Sequence, residues 1–235
     1  MRSPTAPTHR SINGAPWGEV DALVRVPADA HALAGFRTWA LSDDFPEKLR
    51  VSFFNGEVYL HMSKEEIQTH SLVKTEVGGV LWKLNSEIDF GELFINCVLL
   101  TNPKADISTN PDMVAVRWES LQAGRVQYVT VDERELEIVG SPDWILEIVS
   151  DSSVVKDNET LREAYHRAGA REYWIIDARG REIEFQVLVR RKGGYSVVRS
   201  RDGWLASRVF GRSFRLTRRR NRRAAWKYQL AVRST

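Results

Sequence analysis

Two acidic residues stand where acidic residues are costly. Asp112 opens an apolar run in NPDMVAV, and Glu147 lies inside another, WILEIVS, between Leu146 and Ile148. A carboxylate inside such a run is penalised unless it is paired, hydrogen-bonded or bound to a cation. Both runs have the short, nearly continuous apolar character of central strands. If the two strands are neighbours, the carboxylates converge. Together with the main-chain carbonyl of Ile148 they form an oxygen-only set of the kind Mg²⁺ takes while keeping several waters. Two ordinary readings compete. Glu147 could face outward or pair with an arginine, and Asp112 could serve the Asn-Pro-Asp turn that precedes its strand.

Other residues could join them. Glu57 follows Asn55-Gly56 and would be a third carboxylate; by itself it reads as a solvent-facing hairpin residue. His70 sits on the apolar side of a helix, where a histidine more often satisfies the core than binds a ligand. Lys156 and Asp157 stand at the start of a second helix, with Arg162 within it. A cation there could orient an attacking water or neutralise charge on a phosphate. Near the C-terminus, Arg218, Arg219, Arg220, Arg222 and Arg223 are followed by Trp226 and Tyr228. Arginines neutralise phosphates and aromatics stack on bases, so this stretch is a nucleic-acid candidate without a specific spacing. G-x-S-x-G, the Walker loop, H-E-x-x-H and G-x-G-x-x-G are all missing from the sequence, which argues against serine-hydrolase, P-loop, zincin and Rossmann chemistry.

The elements that would position these residues are partly legible. The run KLRVSFFNGEVYLHMS reads as a hairpin turning at Asn55-Gly56. Ser63–Ser86 reads as a helix capped by Ser63 with Glu66 at the capping-box position. Its apolar side carries Ile67, His70, Val73, Val77, Val80, Leu81 and Leu84. Gly78-Gly79 weakens that helix and would let another element approach closely. GELFINCVLLT, DMVAVRW and DWILEIVS are expected strands. Residues 119–142 read as a loop or insertion, in which VTVDERELEIV fits either a strand or a short helix. A second helix is expected over Asn158–Ala168, closed by Gly169. A strand, EYWIIDAR, and a hairpin turning at Gly193-Gly194 follow. The order predicts an α/β domain with a mixed β-sheet flanked by helices.

The chain has 235 residues, enough for one well-buried core. It carries a net charge of +3, but from Arg208 onward there are ten Lys/Arg and no Asp/Glu. The body is therefore acidic and the end basic, which suggests a polyanion or, equally, a solubilising tail. The N-terminus lacks the apolar core of a secretory signal, and no apolar run has the length of a membrane span. A single cysteine, Cys97, excludes an intrachain disulfide and fits a cytoplasmic setting. The expected organisation is a flexible segment over 1–28, a domain over 29–216 and a basic tail over 217–235.

Five segments in order, FFNGEVYLHMS, QTHSLV, ADISTNPDMVAV, WILEIVSDSS and LREAYHRAGAREYWIID, resemble the Uma2 family (DUF820), restriction-endonuclease-like proteins of the PD-(D/E)XK nuclease superfamily. The resemblance runs from about Phe45 to about Asp177. It implies a Mg²⁺-dependent phosphodiesterase site, with Mn²⁺ as a substitute ion and DNA as substrate. By position Asp112 matches the PD aspartate, Glu147 the strand glutamate, Glu57 the hairpin glutamate and His70 the helix histidine. The superfamily's lysine two residues after the strand glutamate is replaced by Val149. Many family members instead place a lysine four residues before the helix tyrosine; counting back from Tyr165 gives Leu161. Lys156 and Arg162 are the nearest cations. A metal-dependent DNA endonuclease, acting as a homodimer to cut both strands, is the leading expectation. A nuclease fold that only binds nucleic acid or a protein partner is the alternative, and paired carboxylates also permit glycoside hydrolysis.

Overall fold

Residues 24–46, 49–61, 65–96 and 98–234 are described by a computed structural model. Most of the expected 1–28 segment, the candidate cap Ser63 and Cys97 lie outside these residues. A 3₁₀ turn at Ala28–His31 leads into helix α1 (Leu33–Ala40), whose Phe36 and Trp39 are buried. Strands β1 (Arg50–Phe54) and β2 (Glu57–His61) form the expected hairpin. Asn55 and Gly56 both take positive φ, the geometry a two-residue turn needs to match strand twist.

The first long helix starts later than the sequence suggests. A π-helical turn at Ile67–Ser71 precedes α2 (Leu72–Ile88). Glu66 is itself the cap, its carboxylate accepting the amides of Gln68 and Thr69. Ile67, expected on the buried side, is 65% exposed, because the π turn shifts the helical phase before Leu72. Val73, Val77, Leu81 and Leu84 are buried as expected.

The run GELFINCVLLT yields two strands in two different sheets, β3 (Gly91–Ile95) and β4 (Leu99–Asn102). Then follow β5 (Ile107–Thr109), β6 (Met113–Arg117) and the short helix α3 (Trp118–Gln122). The segment read as a loop or insertion folds as a hairpin, β7 (Val126–Val131) and β8 (Arg134–Gly140). Asp132 and Glu133 turn it, both at positive φ; the strand alternative was correct and the helical one was not. Strand β9 (Trp144–Ile148) is buried throughout. A second π turn (Lys156–Thr160) leads into α4 (Leu161–Ala168), which Gly169 ends at φ 83°. Strands β10 (Glu172–Asp177), β11 (Glu184–Arg191) and β12 (Gly194–Val197) come next.

The basic end is not a loose tail. Strands β13 (Leu205–Ser207), β14 (Arg212–Arg220) and β15 (Trp226–Ser234) form a sheet, and the boundary expected at 217 falls within β14. Its alternate residues Phe214, Leu216, Tyr228 and Leu230 are buried, which is what orders so charged a segment.

The architecture is mixed α/β, as expected, but built from three sheets. One is ordered β2-β1-β5-β4-β8-β7, the second β12-β11-β10-β9-β6-β3, and the third is β13-β14-β15. The six-stranded sheets are mixed: β9 runs parallel to β10 and antiparallel to β6, and β4 runs parallel to β8. Alternation along β9 sends its side chains into two cores. Trp144, Leu146 and Ile148 join α2 and the third sheet, where Trp144 and Trp174 meet edge-on at 5.1 Å. Ile145 joins Leu161, Tyr165 and Tyr173 on the other face, between the two large sheets.

The paired glycines of α2 are not equivalent. A methyl on Gly78 would come within 2.9 Å of Ile95 Cδ1 and 3.4 Å of Met113 Cε, so Gly78 permits close packing on β3 and β6. Nothing lies within 4 Å of the same position on Gly79. Gly79→Ala is therefore expected to stabilise the protein by about 1 kcal/mol through helix propensity alone. Gly78→Ala should gain less, or lose, because Ile95 must move. Urea-unfolding midpoints of the two variants test this; equal gains would contradict it.

Candidate active site

Antiparallel pairing of β6 with β9 sets Met113 opposite Leu146 and Val114 opposite Ile145. One residue further in that register, Asp112 stands opposite Glu147. Cross-strand partners share a sheet face, so both carboxylates point to the core occupied by Ile145. Asp112 is 6% and Glu147 4% exposed. Neither ordinary reading of Glu147 holds. It does not face outward, and no arginine pairs with it among the described residues.

The two carboxylates are supported differently. Oδ2 of Asp112 accepts the amide of Ile148 at 2.8 Å, which takes the place of the next ladder bond. His70 Nε2 lies 3.3 Å from the same oxygen, and Lys74 Nζ lies 2.7 Å from Oδ1. His70 and Lys74 are one turn apart on the same side of their helix. Both also reach Glu65 Oε1, at 2.9 Å and 3.1 Å. Burial opposes ionisation of Asp112, but His70 and Lys74 outweigh it and hold the carboxyl well below its usual range. For His70, burial is likewise overcome by Asp112, and its pKa is raised.

Glu147 has less help. Its Oε1 accepts the Tyr165 hydroxyl at 2.8 Å, and that hydroxyl lies 3.1 Å from Thr109 Oγ1. Burial pushes its carboxyl up to about 8; Lys156 opposes the shift, and Asp157 and Asp112 add to it. Lys156 Nζ lies 3.3 Å from Asp157 Oδ1, whose carboxylate also takes the Ser153 hydroxyl. The carboxylates of Glu147 and Asp157 raise the Lys156 pKa despite burial.

His70, Asp112, Glu147, Lys156 and Asp157 line a cavity of about 220 Å³, together with Arg50, His61, Glu65, Asn110, Ile148 and three serines. His61 is kept neutral: burial, Lys156 and Arg50 bring its pKa down to about 4. Among the described residues, no three His, Cys, Asp or Glu side chains converge as a closed metal cage would require. What is present is an open pair of carboxylates from adjacent strands, with Ile148 lining the same cavity. The under-supported Glu147 marks where positive charge is lacking. Such a set fits a hard divalent cation that keeps waters.

Of the residues singled out from sequence, Asp112, Glu147, Ile148, His70 and Lys156 come together here. Glu57 does not. It sits beside the turn, exposed, with Oε2 accepting the Tyr59 hydroxyl at 2.6 Å. Arg162 points to the carbonyl of Tyr195 and does not line the cavity. Leu161, at the position where a lysine is common, is core. Arg218 is occupied by the carbonyls of Ala178, Gly180 and Arg181, and both it and Arg220 stack over Trp226, at 4.1 Å and 3.5 Å from the ring centre. Arg219, Arg222 and Arg223 are exposed. Sequence reasoning missed Lys74 and Glu65; the available signal was the four-residue spacing of Lys74 from His70. Tyr165 entered there only as the helix tyrosine from which the lysine position is counted, and its hydroxyl was missed.

Among the described residues no helix is long and apolar enough to cross a membrane. No curated protein matches this chain. A crystal structure of a protein described as "a putative nuclease belonging to DUF820", from Anabaena variabilis, shares the fold with a TM-score of 0.55. It is 19% identical, and the match covers 76% of this chain and 90% of that one. The model of the Uma2 family, described as "Putative restriction endonuclease", matches residues 33–219, from α1 to nearly the end of β14. The chain belongs to the Uma2 family.

Proposed function

We propose that this protein is a Mg²⁺-dependent endonuclease that hydrolyses DNA phosphodiester bonds. The observation that carries the reading is the opposed pair Asp112 and Glu147, buried in one cavity with Lys156. Asp112, Glu147 and the carbonyl of Ile148 would hold the ion, with Mn²⁺ able to replace it. When bound, the ion supplies Lewis-acid polarisation of the phosphate and a lowered pKa for water. The chain's own residues do the positioning. His70 and Lys74 hold Asp112 ionised and oriented. Tyr165 fixes one oxygen of Glu147. Lys156, on the Glu147 side, holds the attacking water or neutralises charge growing on the phosphate.

Glu57 and Arg162 have no part in this arrangement. The rival reading, a nuclease fold retained only for binding, rests on the absence of lysine at Val149 and Leu161. Lys156, which lines the cavity from the π turn before α4, supports the catalytic reading over it. The β14–β15 hairpin supplies a DNA contact. The Trp226 amide donates to Gln68 Oε1 at 2.9 Å, which sets the hairpin end beside the helix that carries His70. Arg219, Arg222 and Arg223 would meet backbone phosphates there, while Arg218 and Arg220 brace Trp226. A second copy of the chain would supply the other site for double-strand cleavage.

Plasmid nicking in Mg²⁺ is expected to fall by on the order of a hundredfold or more in Glu147→Ala and in Lys156→Ala. Equal activity of wild type and Glu147→Ala would overturn the assignment. Protonation gives an independent check. The raised pKa of Glu147 means that the metal-free fold is favoured while this carboxyl is protonated. That contribution is fully present below the ordinary glutamate value and is lost as pH rises through about 8. Near neutrality, metal uptake must therefore expel a proton. Calorimetric titration with Mn²⁺ in two buffers of different ionisation enthalpy should show about one proton released per ion, and none in Glu147→Gln. Identical heats in both buffers for wild type would contradict this.

A further inference from the structure

At the opposite end of the second sheet lies a different charged cleft. Asp112 precedes β6 and Ile148 ends β9, whereas Arg117 ends β6 and Asp143 precedes β9, so the two places sit at opposite poles. The far cleft has a volume of about 450 Å³ and is lined by six arginines: Arg117, Arg125, Arg171, Arg190, Arg191 and Arg208. They arrive from five separate stretches of chain, so helical or strand periodicity alone does not gather them.

Two buried carboxylates stand near, and both are already used. Asp143 accepts the Arg117 amide at 2.9 Å and pairs with Arg171 at 3.2 Å. Glu172 is taken up by the Trp174 indole at 2.7 Å, the Ser207 hydroxyl at 2.5 Å and the Arg208 amide at 3.0 Å. It offers no side-chain ion pair to any of the six arginines. Most of the guanidinium charge is left without a counter-charge in a recessed space. Nε of Arg117 and of Arg125 are buried with no hydrogen-bond partner among the described residues. Burial lowers the pKa of Arg125, and the neighbouring Arg171 and Arg190 lower it further. Arg117, Arg125 and Arg190 each already donate one side-chain N–H to a main-chain carbonyl, of Val209, Ser141 and His166; the remaining donors of this like-charged cluster are what a multiply charged oxyanion would complete.

We propose that this cleft is a binding site for a small phosphate anion of the di- or triphosphate class, separate from the nuclease cavity. Its volume falls within the roughly 300–1,000 Å³ typical of small-ligand sites. Its recessed shape suits a terminal phosphate chain better than the convex backbone of a duplex. The ligand would be bridged by guanidinium groups from β6, from the start of β10 and from the end of β11. It would thereby tie β11 and β10 to β6 across the intervening β9, in the sheet that carries the nuclease carboxylates.

The test is calorimetric titration of the full chain with sodium pyrophosphate, in chelator so that no divalent ion bridges pyrophosphate to the other cavity. Wild type should bind saturably with one ligand per chain. Arg191→Gln/Arg208→Gln should weaken binding about tenfold or more, since neither side chain makes a hydrogen bond or ion pair among the described residues and the fold is not expected to depend on them. Unchanged circular dichroism and thermal midpoint would verify that the variant folds. Glu147→Gln should bind pyrophosphate like wild type. Absence of saturable binding, equal affinity in the double variant, or loss in Glu147→Gln would each overturn the proposal. So would displacement of bound pyrophosphate by a short blunt DNA duplex, which would assign the cleft to nucleic-acid backbone.

Discussion

Two carboxylates placed directly opposite each other on adjacent central strands repel, and burial magnifies the repulsion. Asp112 and Glu147 are in that position, and much of the surrounding structure can be read as a response. Asp112 is stabilised as an anion by the Ile148 amide, His70 and Lys74. That requirement explains two charged or polar side chains on the inner side of a helix otherwise packed with Val and Leu. Glu147 receives one hydroxyl and a more distant ammonium, and the imbalance appears as a carboxyl raised to about 8. The proposed divalent ion would offset that cost.

The sequence carried the parts of this arrangement that depend on local pattern. The Asn55-Gly56 turn, the apolar strands around Asp112 and Glu147, and the Gly169 helix end were all readable, because each follows from backbone chemistry or periodicity. The parts set by tertiary pairing were not. Nothing local says that Gly91–Ile95 and Leu99–Asn102 part company into different sheets. The π turns at Ile67–Ser71 and Lys156–Thr160 break helical phase, so Ile67 was misplaced and Lys156 could not be given a direction. Glu57 matched a position in a motif, yet the turn beside it leaves its carboxylate with Tyr59 in solvent.

The basic end shows the limit of reading charge as disorder. Ten Lys/Arg without a single acid look like a tail. The same residues alternate with Phe214, Leu216, Tyr228 and Leu230, and that period-two pattern seats two nine-residue strands on the core. Part of the positive charge is then spent on structure, as in the stacking of Arg218 and Arg220 over Trp226 and of Arg215 and Arg233 over Trp204. The rest is displayed on an ordered surface, which is a better polyanion contact than a flexible tail because less entropy is lost on binding.

Metal-dependent cleavage at this site requires Asp112 and Glu147 to share a divalent ion. A crystal soaked in Mn²⁺ and measured for anomalous scattering addresses that directly. A single strong peak about 2.0–2.2 Å from a carboxylate oxygen of each residue and from the Ile148 carbonyl is the predicted result. A cavity without an anomalous peak at saturating Mn²⁺, with Lys74 still holding Asp112, would contradict it.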